Sequence, residues 1–358
     1  MRVLKSIVAG FAGICVLGCN GQEAAQAPPR PAAAQESRPR VAPIPATITR
    51  IEPGPNAQKD AQRALIQAKP GGIVEFGEGR FDFTSTLSLD VSGVIIRGQG
   101  PDKTILSFKN QGQGTGGEGL SITSKENVEI RDLAVEDARG DAIKARGTKR
   151  LFFRKVRTEW TGGPKETNGG YGLYPVLCSD VLIEDCVARG ASDSGIYVGQ
   201  SKNIIVRRNR AEQNVAGIEI ENSIQADVFD NDLTDNTGGI LVFSLPDLEQ
   251  KASHSCRVFK NRVVANNHEN FAPKGNIVAS VSPGTGLMVM ASDGVEIFDN
   301  TIEKNQTAGL AIISYLLTGR PIKDDKYDPY SEGITVRNNR FASNGEKPAG
   351  QLAMMLTP

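Results

Sequence analysis

The most regular feature of the sequence is a short run of alternating apolar and polar residues that returns every 22 or 23 positions, except where a loop is inserted. Each run begins with a glycine that precedes Ile or Leu; these are Gly195, Gly217, Gly239, Gly286 and Gly309. A second alternating run follows in each unit. Alternation is the pattern of a β-strand, and repetition at this length indicates units that stack to bury an apolar face. The pattern therefore predicts the coils of a parallel β-helix.

Two rows of asparagine support the same register. The first row follows the second strand of each unit, and the second row lies five residues later: Asn209, Asn231, Asn261, Asn300 and Asn339, then Asn214, Asn236, Asn266, Asn305 and Asn344. Asparagine tolerates left-handed backbone, and its amide can bond to the coils above and below. We interpret these ten residues as structural ladders rather than as a binding face, and Cys186 takes the place of one rung.

The start of the repeat region has the pattern of a cap. Apolar residues recur at helical spacing from Gln58 to Ala68, and the strand-like runs 73–76 and 94–96 follow. An amphipathic helix over the first coil would hide an unpaired edge. We therefore predict an all-β chain: a single-stranded right-handed parallel β-helix over residues 47–358, with an N-terminal amphipathic capping helix.

The first residues have the pattern of an export signal. Arg2 and Lys5 precede an apolar run over residues 7–17, which is shorter than the ~20 residues that a membrane-spanning helix needs. We predict a signal peptide over residues 1–18. Its end, Val-Leu-Gly followed by Cys19, resembles the lipobox of bacterial lipoproteins, which implies that Cys19 is lipidated.

The lipoprotein resemblance also implies a location. The residue after Cys19 is Asn20 rather than Asp, which in a Gram-negative cell favours the outer membrane. Residues 19–46 are rich in Pro and Ala without apolar periodicity, so we expect a flexible tether. The predicted place is the cell envelope, with membrane attachment through the lipid on Cys19; an ordinary secretory signal with an incidental cysteine is the alternative.

Composition limits the partners. The chain has 41 Lys and Arg residues and 41 Asp and Glu residues, so no overall field attracts nucleic acid. We expect a monomer that binds no nucleic acid. Outside the first 19 residues the cysteines are Cys178, Cys186 and Cys256. Extended strand would place the first two ~25 Å apart, beyond disulfide reach, and we interpret all three as buried thiols.

Two segments carry a family resemblance: WTGGPKETNGGYGLYP at residues 160–175 and DSGIYVGQS at residues 193–201. With them, residues 127–344 resemble the bacterial parallel β-helix repeat proteins, within the pectate-lyase-like superfamily. The resemblance implies the fold and supplies no catalytic residue.

The longest insertions all flank strands of the predicted sheet that contains Gly195, Gly217 and Gly239. They are 161–170, 244–254, 266–284 and 315–331. We therefore predict a groove over that sheet, because insertions on one face of a solenoid often form its binding face. Period two places Lys144, Tyr174, Tyr197 and Glu219 outward in a ladder ~14 Å long. The other candidate substrate-binding residues are Arg146, Trp160, Lys165, Glu166, Tyr171 and Glu221. The later outward residues Leu241, Phe243, Met288 and Met290 are interpreted as a seat for overlying loops.

Asp193 is the strongest catalytic candidate. The repeat length changes from 23 to 22 near it, which predicts a bulge directly before the groove strand, and bulges re-aim side chains near active sites. Asp141 occupies the equivalent place two coils earlier, so with Lys144 the two carboxylates could act as acid and base on a sugar. The alternative is that both aspartates cap turns.

Three functions remain open. The first is binding, with or without modification, of an acidic polysaccharide; the second is a non-catalytic envelope scaffold for a protein partner; the third is an accessory factor in metalloenzyme maturation. The motif of alginate epimerases, Asp-Pro-His-Asp, is absent, and polygalacturonase motifs appear only as isolated matches. Histidines occur only at His254 and His268, so we expect no metal site and no cofactor. Ca²⁺ would enter only for a lyase, with Asp137 beside Asp141, Lys144 and Arg146.

Overall fold

A computed structural model describes residues 15–16 and 47–356. In chain order the strands are β1 (Cys15–Val16), β2 (Ile48–Ile51), β3 (Ile73–Phe76), β4 (Gly79–Asp82), β5 (Leu87–Leu89), β6 (Ile95–Arg97), β7 (Thr104–Ser107), β8 (Leu120–Thr123), β9 (Glu126–Glu136), β10 (Ile143–Arg146), β11 (Lys149–Glu159), β12 (Tyr171–Val176), β13 (Ser179–Glu184), β14 (Val187–Arg189), β15 (Ser194–Gly199), β16 (Lys202–Arg207), β17 (Arg210–Glu212), β18 (Ala216–Glu221), β19 (Ile224–Phe229), β20 (Asp232–Thr234), β21 (Gly238–Phe243), β22 (Arg257–Phe259), β23 (Arg262–Val264), β24 (Thr285–Met290), β25 (Glu296–Phe298), β26 (Thr301–Glu303), β27 (Ala308–Ile313), β28 (Thr335–Arg337) and β29 (Arg340–Ala342). The helices are α1 (Ala57–Gln67) and α2 (Gly350–Leu356), and 3₁₀ turns occur at Ile277–Ser280 and Tyr315–Thr318.

Successive coils stack in parallel register. The groove sheet contains β5, β8, β10, β12, β15, β18, β21, β24 and β27, all parallel. Two further parallel rows run from β2 to β28 and from β4 to β29, and the long strands β9 and β11 bend through both rows. The predicted single-stranded right-handed parallel β-helix is confirmed.

Both asparagine rows form the predicted ladders. In the first row, the Asn231 amide donates to Val206 O and to Asn261 Oδ1, and its own Oδ1 accepts from the backbone and side chain of Asn209. Cys186 replaces a rung and donates its backbone N–H to Asn209 Oδ1. The left-handed backbone lies one residue before the ladder positions, as at Arg208 and Asp230. The asparagines therefore serve as hydrogen-bonding rungs and the preceding residues supply the turn.

The capping helix is confirmed at α1, whose apolar side covers the first coil. Ala57, Ala61, Ala64 and Leu65 are buried there, and Gln62 bonds to both backbone groups of Ser88. Neither helix in residues 47–356 is long and apolar enough to cross a membrane. At the other end of the groove sheet, Cys15 and Val16 of the predicted signal peptide pair antiparallel with β27. The rest of the predicted signal peptide, the tether over 19–46 and Cys19 lie outside the described residues.

The inside of the coils is a continuous column of aliphatic and aromatic side chains. Cys178, Cys186 and Cys256 are free buried thiols, as predicted, and burial raises their pKa values to between about 11 and about 12. A second apolar cluster lies outside the column, on the outer face of the later groove strands. There Leu241, Phe243, Met288 and Met290 are covered by Val278 and Val281 of the 266–284 insertion, by Tyr315 and by Leu352 of α2. These residues therefore form the predicted seat for overlying loops.

Candidate functional site

Polar and aromatic side chains cross the outer face of the earlier groove strands. The ladder pairs Lys144 with Tyr174 and Tyr197 with Glu219, and the neighbouring row pairs Gly199 with Glu221. Three steps of ~4.8 Å separate Lys144 from Glu219, which gives ~14 Å. We call this set the strip; its members are Lys144, Arg146, Tyr171, Tyr174, Tyr197, Glu219 and Glu221.

Three tyrosine rings converge at the centre of the strip. The Tyr171 and Tyr174 rings stack at 4.3 Å between centroids, and Tyr197 lies 4.8 and 4.9 Å from them. Gly199 makes this packing feasible, because a Cβ at that position would overlap the Tyr197 phenol. Tyr171 and Tyr174 are half-buried, whereas Tyr197 is 4% exposed. The cluster thus presents two rings towards solvent and holds the third underneath neighbouring structure.

The β10 end of the strip is cationic but partly neutralised. Lys144 Nζ lies 5.0 Å from the centroid of the Tyr174 ring. It also lies 3.2 Å from Asp141 and 3.5 Å from Glu118, which precedes β8. Arg146 is exposed, and its nearest acidic oxygen is on Glu249 at 3.9 Å. Arg146 is therefore the more available cation.

Asp193 lies in the predicted bulge. Arg189 pairs with Glu212, 23 residues on, whereas Ser194 pairs with Ala216, 22 residues on, so one extra residue lies between them. The backbone N–H groups of Asp193 and Ser194 both donate to Gly170 O at 3.0 Å. Because Asp193 and Ser194 both lie opposite Gly170, the Asp193 side chain is turned towards the strip. There Asn276 Nδ2 donates to Asp193 Oδ2 at 3.2 Å.

Asp141 and Asp193 flank the same glycine. A Cβ placed on Gly170 would lie 3.7 Å from Asp141 Oδ1 and 3.8 Å from Asp193 Cβ. The bulge shifts their register by one position, so Asp141 aligns with Ser194 rather than with Asp193 as the repeat spacing indicated. The two carboxyls nevertheless share one edge of the strip, with only a hydrogen side chain between them.

Burial raises the pKa values of the acids in the strip and at its edge. It raises the pKa of Asp193 to about 7, although interactions with Tyr171 and Asn276 act in the opposite direction. Burial likewise raises the pKa of Glu221 to about 7, against the effect of the Tyr197 hydroxyl. Complete burial and the charges of Asp193 and Glu221 raise the pKa of Glu219 well above its usual range. Burial also raises the pKa of Asp141, with Lys144 opposing it. Asp193 and Glu221 therefore exchange protons near neutral pH.

Three predicted substrate-binding residues lie apart from the strip. Trp160 is buried, and its indole N–H donates to Ala138 O at 2.7 Å, so it packs inside the fold rather than facing the groove. Lys165 and Glu166 are exposed on the 161–170 insertion and form no ion pair within the described residues. In residues 47–356, no ring contact or hydrogen bond joins positions 161–168 to the three tyrosines. That part of the insertion therefore does not hold the tyrosine cluster in place.

The acids considered for Ca²⁺ have other partners among the described residues, since Asp141 pairs with Lys144. Asp137 accepts hydrogen bonds from the backbone and hydroxyl of Thr161 and so holds a turn. Within residues 47–356, no group of three or more His, Cys, Asp or Glu side chains could hold a metal ion. His254 lies in isolated β-bridges, and His268 packs near Phe271.

Sequence reasoning missed four residues that shape the strip: Glu118, Gly170, Gly199 and Asn276. Glu118 and Asn276 come from irregular segments without periodicity, and no local signal marks their contacts. Period two does place Gly199 outward, two residues after Tyr197, and only its role in the packing of the tyrosines was missed.

The chain is similar to a known family and to several solved structures. The family described as right handed beta helix region matches residues 92–249 and 166–315. No curated protein sequence matches the chain. An alginate lyase from Paenibacillus sp. str. FPU-7 is similar over 84% of this chain and 98% of its own, at 15% identity and a TM-score of 0.54. The periplasmic alginate epimerase AlgG is similar over 77% of this chain and 75% of its own, at 16% identity and a TM-score of 0.52. The pectate lyase Pel9A is similar over 85% and 81%, at 13% identity and a TM-score of 0.51. At such identities the similarity shows the fold alone.

Proposed function

The chain belongs to the right-handed β-helix family, and from that premise we propose that the strip binds an acidic polysaccharide. The observation that supports this most is the cluster of three tyrosines beside Lys144 and Arg146 on an outward face. Structural relatives of this fold include enzymes named for alginate and pectate.

The chemistry of the strip suits a sugar chain. Tyrosine offers an apolar ring with a hydroxyl at its edge, which matches the apolar faces and hydroxyl rims of pyranose rings. Arg146 has a planar fork that can hold a carboxylate through two hydrogen bonds. The uncovered length of the groove sheet before β15 gives a chain room to lie across successive coils.

We also propose a modifying reaction, β-elimination, on the same strip. Asp193 would take the proton beside the sugar carboxylate, because its pKa of about 7 suits a general base at neutral pH. Lys144 would neutralise the sugar carboxylate, and protonated Asp141 would donate to the leaving oxygen as the glycosidic C–O bond breaks and the ring double bond forms.

The place of action is part of the proposal. We propose that residues 1–18 direct export and that a lipid on Cys19 holds the protein in the cell envelope, with residues 19–46 as the tether. The scaffold function, in which a protein partner docks on the same face, is the competing proposal.

The test uses the soluble chain from residue 20 onwards and a panel of uronic-acid polysaccharides, including alginate and polygalacturonate. Binding is measured by calorimetry, and elimination by the ultraviolet absorbance of the unsaturated product. We compare Tyr174→Ala, Asp193→Asn and Lys144→Ala with Lys202→Ala, a control on an exposed position of β16.

Binding that Tyr174→Ala weakens and Lys202→Ala leaves unchanged supports the glycan groove. Product formation that Asp193→Asn and Lys144→Ala abolish supports the lyase reaction. Binding without product leaves a glycan-binding protein. Absence of both across the panel refutes the proposal and favours the scaffold.

A further inference from the structure

The described residues contain six buried carboxylates that fall into two groups. Glu75 lies 2.5 Å from Arg97, Glu136 lies 2.9 Å from both Arg80 and Arg157, and Glu184 is paired with Arg154, Arg207 and Arg208. The second group is Asp193, Glu219 and Glu221. Within residues 47–356, no Lys or Arg forms an ion pair with any of these three.

Two oxygens of the second group have no hydrogen-bond partner in the described part of the chain. These are Asp193 Oδ1 and Glu219 Oε1, both without solvent contact, on residues that are 5% and 1% exposed. An unpaired buried carboxylate is expensive, because it loses its hydration without replacement. The acids of the first group are neutralised by arginine. The second group has no such partner among the described residues, so a cation from outside the chain can neutralise it.

Among the residues that the structure describes, only neutral or negative groups act on these acids. Tyr171 on β12 and Asn276 from the 266–284 insertion act on Asp193, Tyr197 on β15 acts on Glu221, and Asp141 adds negative charge. The carboxyls are not arranged as a metal cluster among residues 47–356. Aromatic rings beside carboxylates are instead the usual surroundings of an organic ammonium group, which is attracted to the ring faces and donates to the oxygens.

The strip therefore has two unlike ends. Lys144 and Arg146 lie on β10. Asp193 lies directly before β15, two coil steps away, and Glu219 and Glu221 lie on β18, three coil steps or ~14 Å away. A ligand with a carboxylate at one end and an ammonium group at the other would satisfy both.

We propose that the glycan is zwitterionic: a chain that contains uronic acid and an unacetylated amino sugar, whose ammonium group is received by Asp193, Glu219 and Glu221. This inference rests on the proposed glycan groove and names its substrate class. The uronate carboxylate is held by Lys144 and Arg146, and the tyrosines support the rings between the two charges.

Asn276 stands where the ammonium group would bind. Its side-chain N–H donates to Asp193 at a long 3.2 Å, and Arg320 holds the loop tip through Gly275 O at 2.7 Å and Asn276 O at 3.0 Å. A neutral amide donor is a weaker partner for a carboxylate than an ammonium group. The ligand therefore displaces the Asn276 side chain, and removing that side chain should strengthen binding.

The experiment compares oligosaccharides that differ only in the amine. The probes are hyaluronan oligosaccharides, the same oligosaccharides after de-N-acetylation, and alginate oligosaccharides that carry uronate alone. Affinity is measured by calorimetry at pH 7 in two buffers of different ionisation heat, which also counts protons released. The variants are Glu219→Gln, Glu221→Gln and Asn276→Ala, with Glu184→Gln as the control for a buried acid outside the strip.

We expect the de-N-acetylated oligosaccharide to bind at least about tenfold more tightly than the acetylated one, as for one added charge-assisted hydrogen bond. Binding should release protons at pH 7, because burial raises the pKa values of Asp193 and Glu221 to about 7 and a bound ammonium group would lower them. Glu219→Gln and Glu221→Gln should remove the preference, Asn276→Ala should increase it, and Glu184→Gln should leave it unchanged.

Equal affinity for both hyaluronan forms overturns the zwitterion inference and leaves the acidic-glycan groove standing if alginate binds. Absence of binding by every probe overturns both. If either glutamine variant fails to fold, the Asn276→Ala result and the proton release in the unsubstituted protein still decide the inference.

Discussion

Replacing Glu221 with glutamine tests the claim that this acid is buried without a cationic partner. Burial raises the pKa of Glu221 from 4.5 to about 7, so over that interval the folded chain holds a proton that the unfolded chain has released. Stability then falls as pH rises from about 4.5 to about 7. Glutamine has nearly the same shape and no charge, and it removes this loss.

The magnitude follows from the same pKa values. One pKa unit corresponds to about 1.4 kcal/mol, so the difference between 4.5 and about 7 amounts to about 3 kcal/mol. We expect the free energy of unfolding of Glu221→Gln to exceed that of the unsubstituted chain by up to about 3 kcal/mol at pH 8. At pH 4 the two values should differ little. The gain should develop between these limits.

The assay is urea unfolding followed by circular dichroism at pH 4, 6 and 8. Glu184→Gln is the matched control, because Glu184 is also buried but bonds to Arg207 at 2.8 Å and Arg208 at 2.7 Å. That variant should be less stable at pH 8, since three guanidinium groups lose a carboxylate. A Glu221→Gln variant that is equally destabilised at pH 8, or whose effect is independent of pH, would refute the reasoning.

Three further predictions concern the ladder, the tryptophan and the tyrosine cluster. Asn231→Ala should lower the free energy of unfolding by roughly 3 kcal/mol in urea titration, because the Asn209 N–H loses its buried acceptor; a change below ~1 kcal/mol would contradict the ladder. Trp160→Phe should destabilise the fold by about 2 kcal/mol through the lost bond to Ala138 O and leave glycan affinity unchanged in calorimetry. Gly199→Ala should weaken glycan binding several-fold while the fold persists, since the new methyl displaces the Tyr197 phenol; unaltered affinity would remove Tyr197 from the strip.

The sequence was sufficient for the repeat and for much of the strip. Period two and the 22-residue spacing fix which side chains point outward, so the ladder from Lys144 to Glu219 followed without any structure. The bulge at Asp193 was also visible, because a single inserted residue changes the repeat length. These predictions succeed because stacked coils transmit register from one strand to the next.

The conformation of the insertions could not be predicted from the repeat pattern. All four long insertions were predicted to flank the groove, but the sequence did not show that the 266–284 insertion supplies Asn276 beside Asp193. Trp160 was predicted to bind substrate, yet its indole N–H donates to Ala138 O. Irregular segments have no period, and their positions depend on which apolar surface they can bury.

The sequence by itself therefore determined the coil, its turns and the faces of its strands, because these depend on contacts that repeat at a fixed spacing. The tertiary structure alone decided which acids receive an arginine and which remain unpaired. Glu184 meets its arginines on neighbouring coils, but Asp193 meets Asn276 across 83 residues. Charge compensation of that kind depends on distances in space, and burial turns it into the shifted pKa values of the strip.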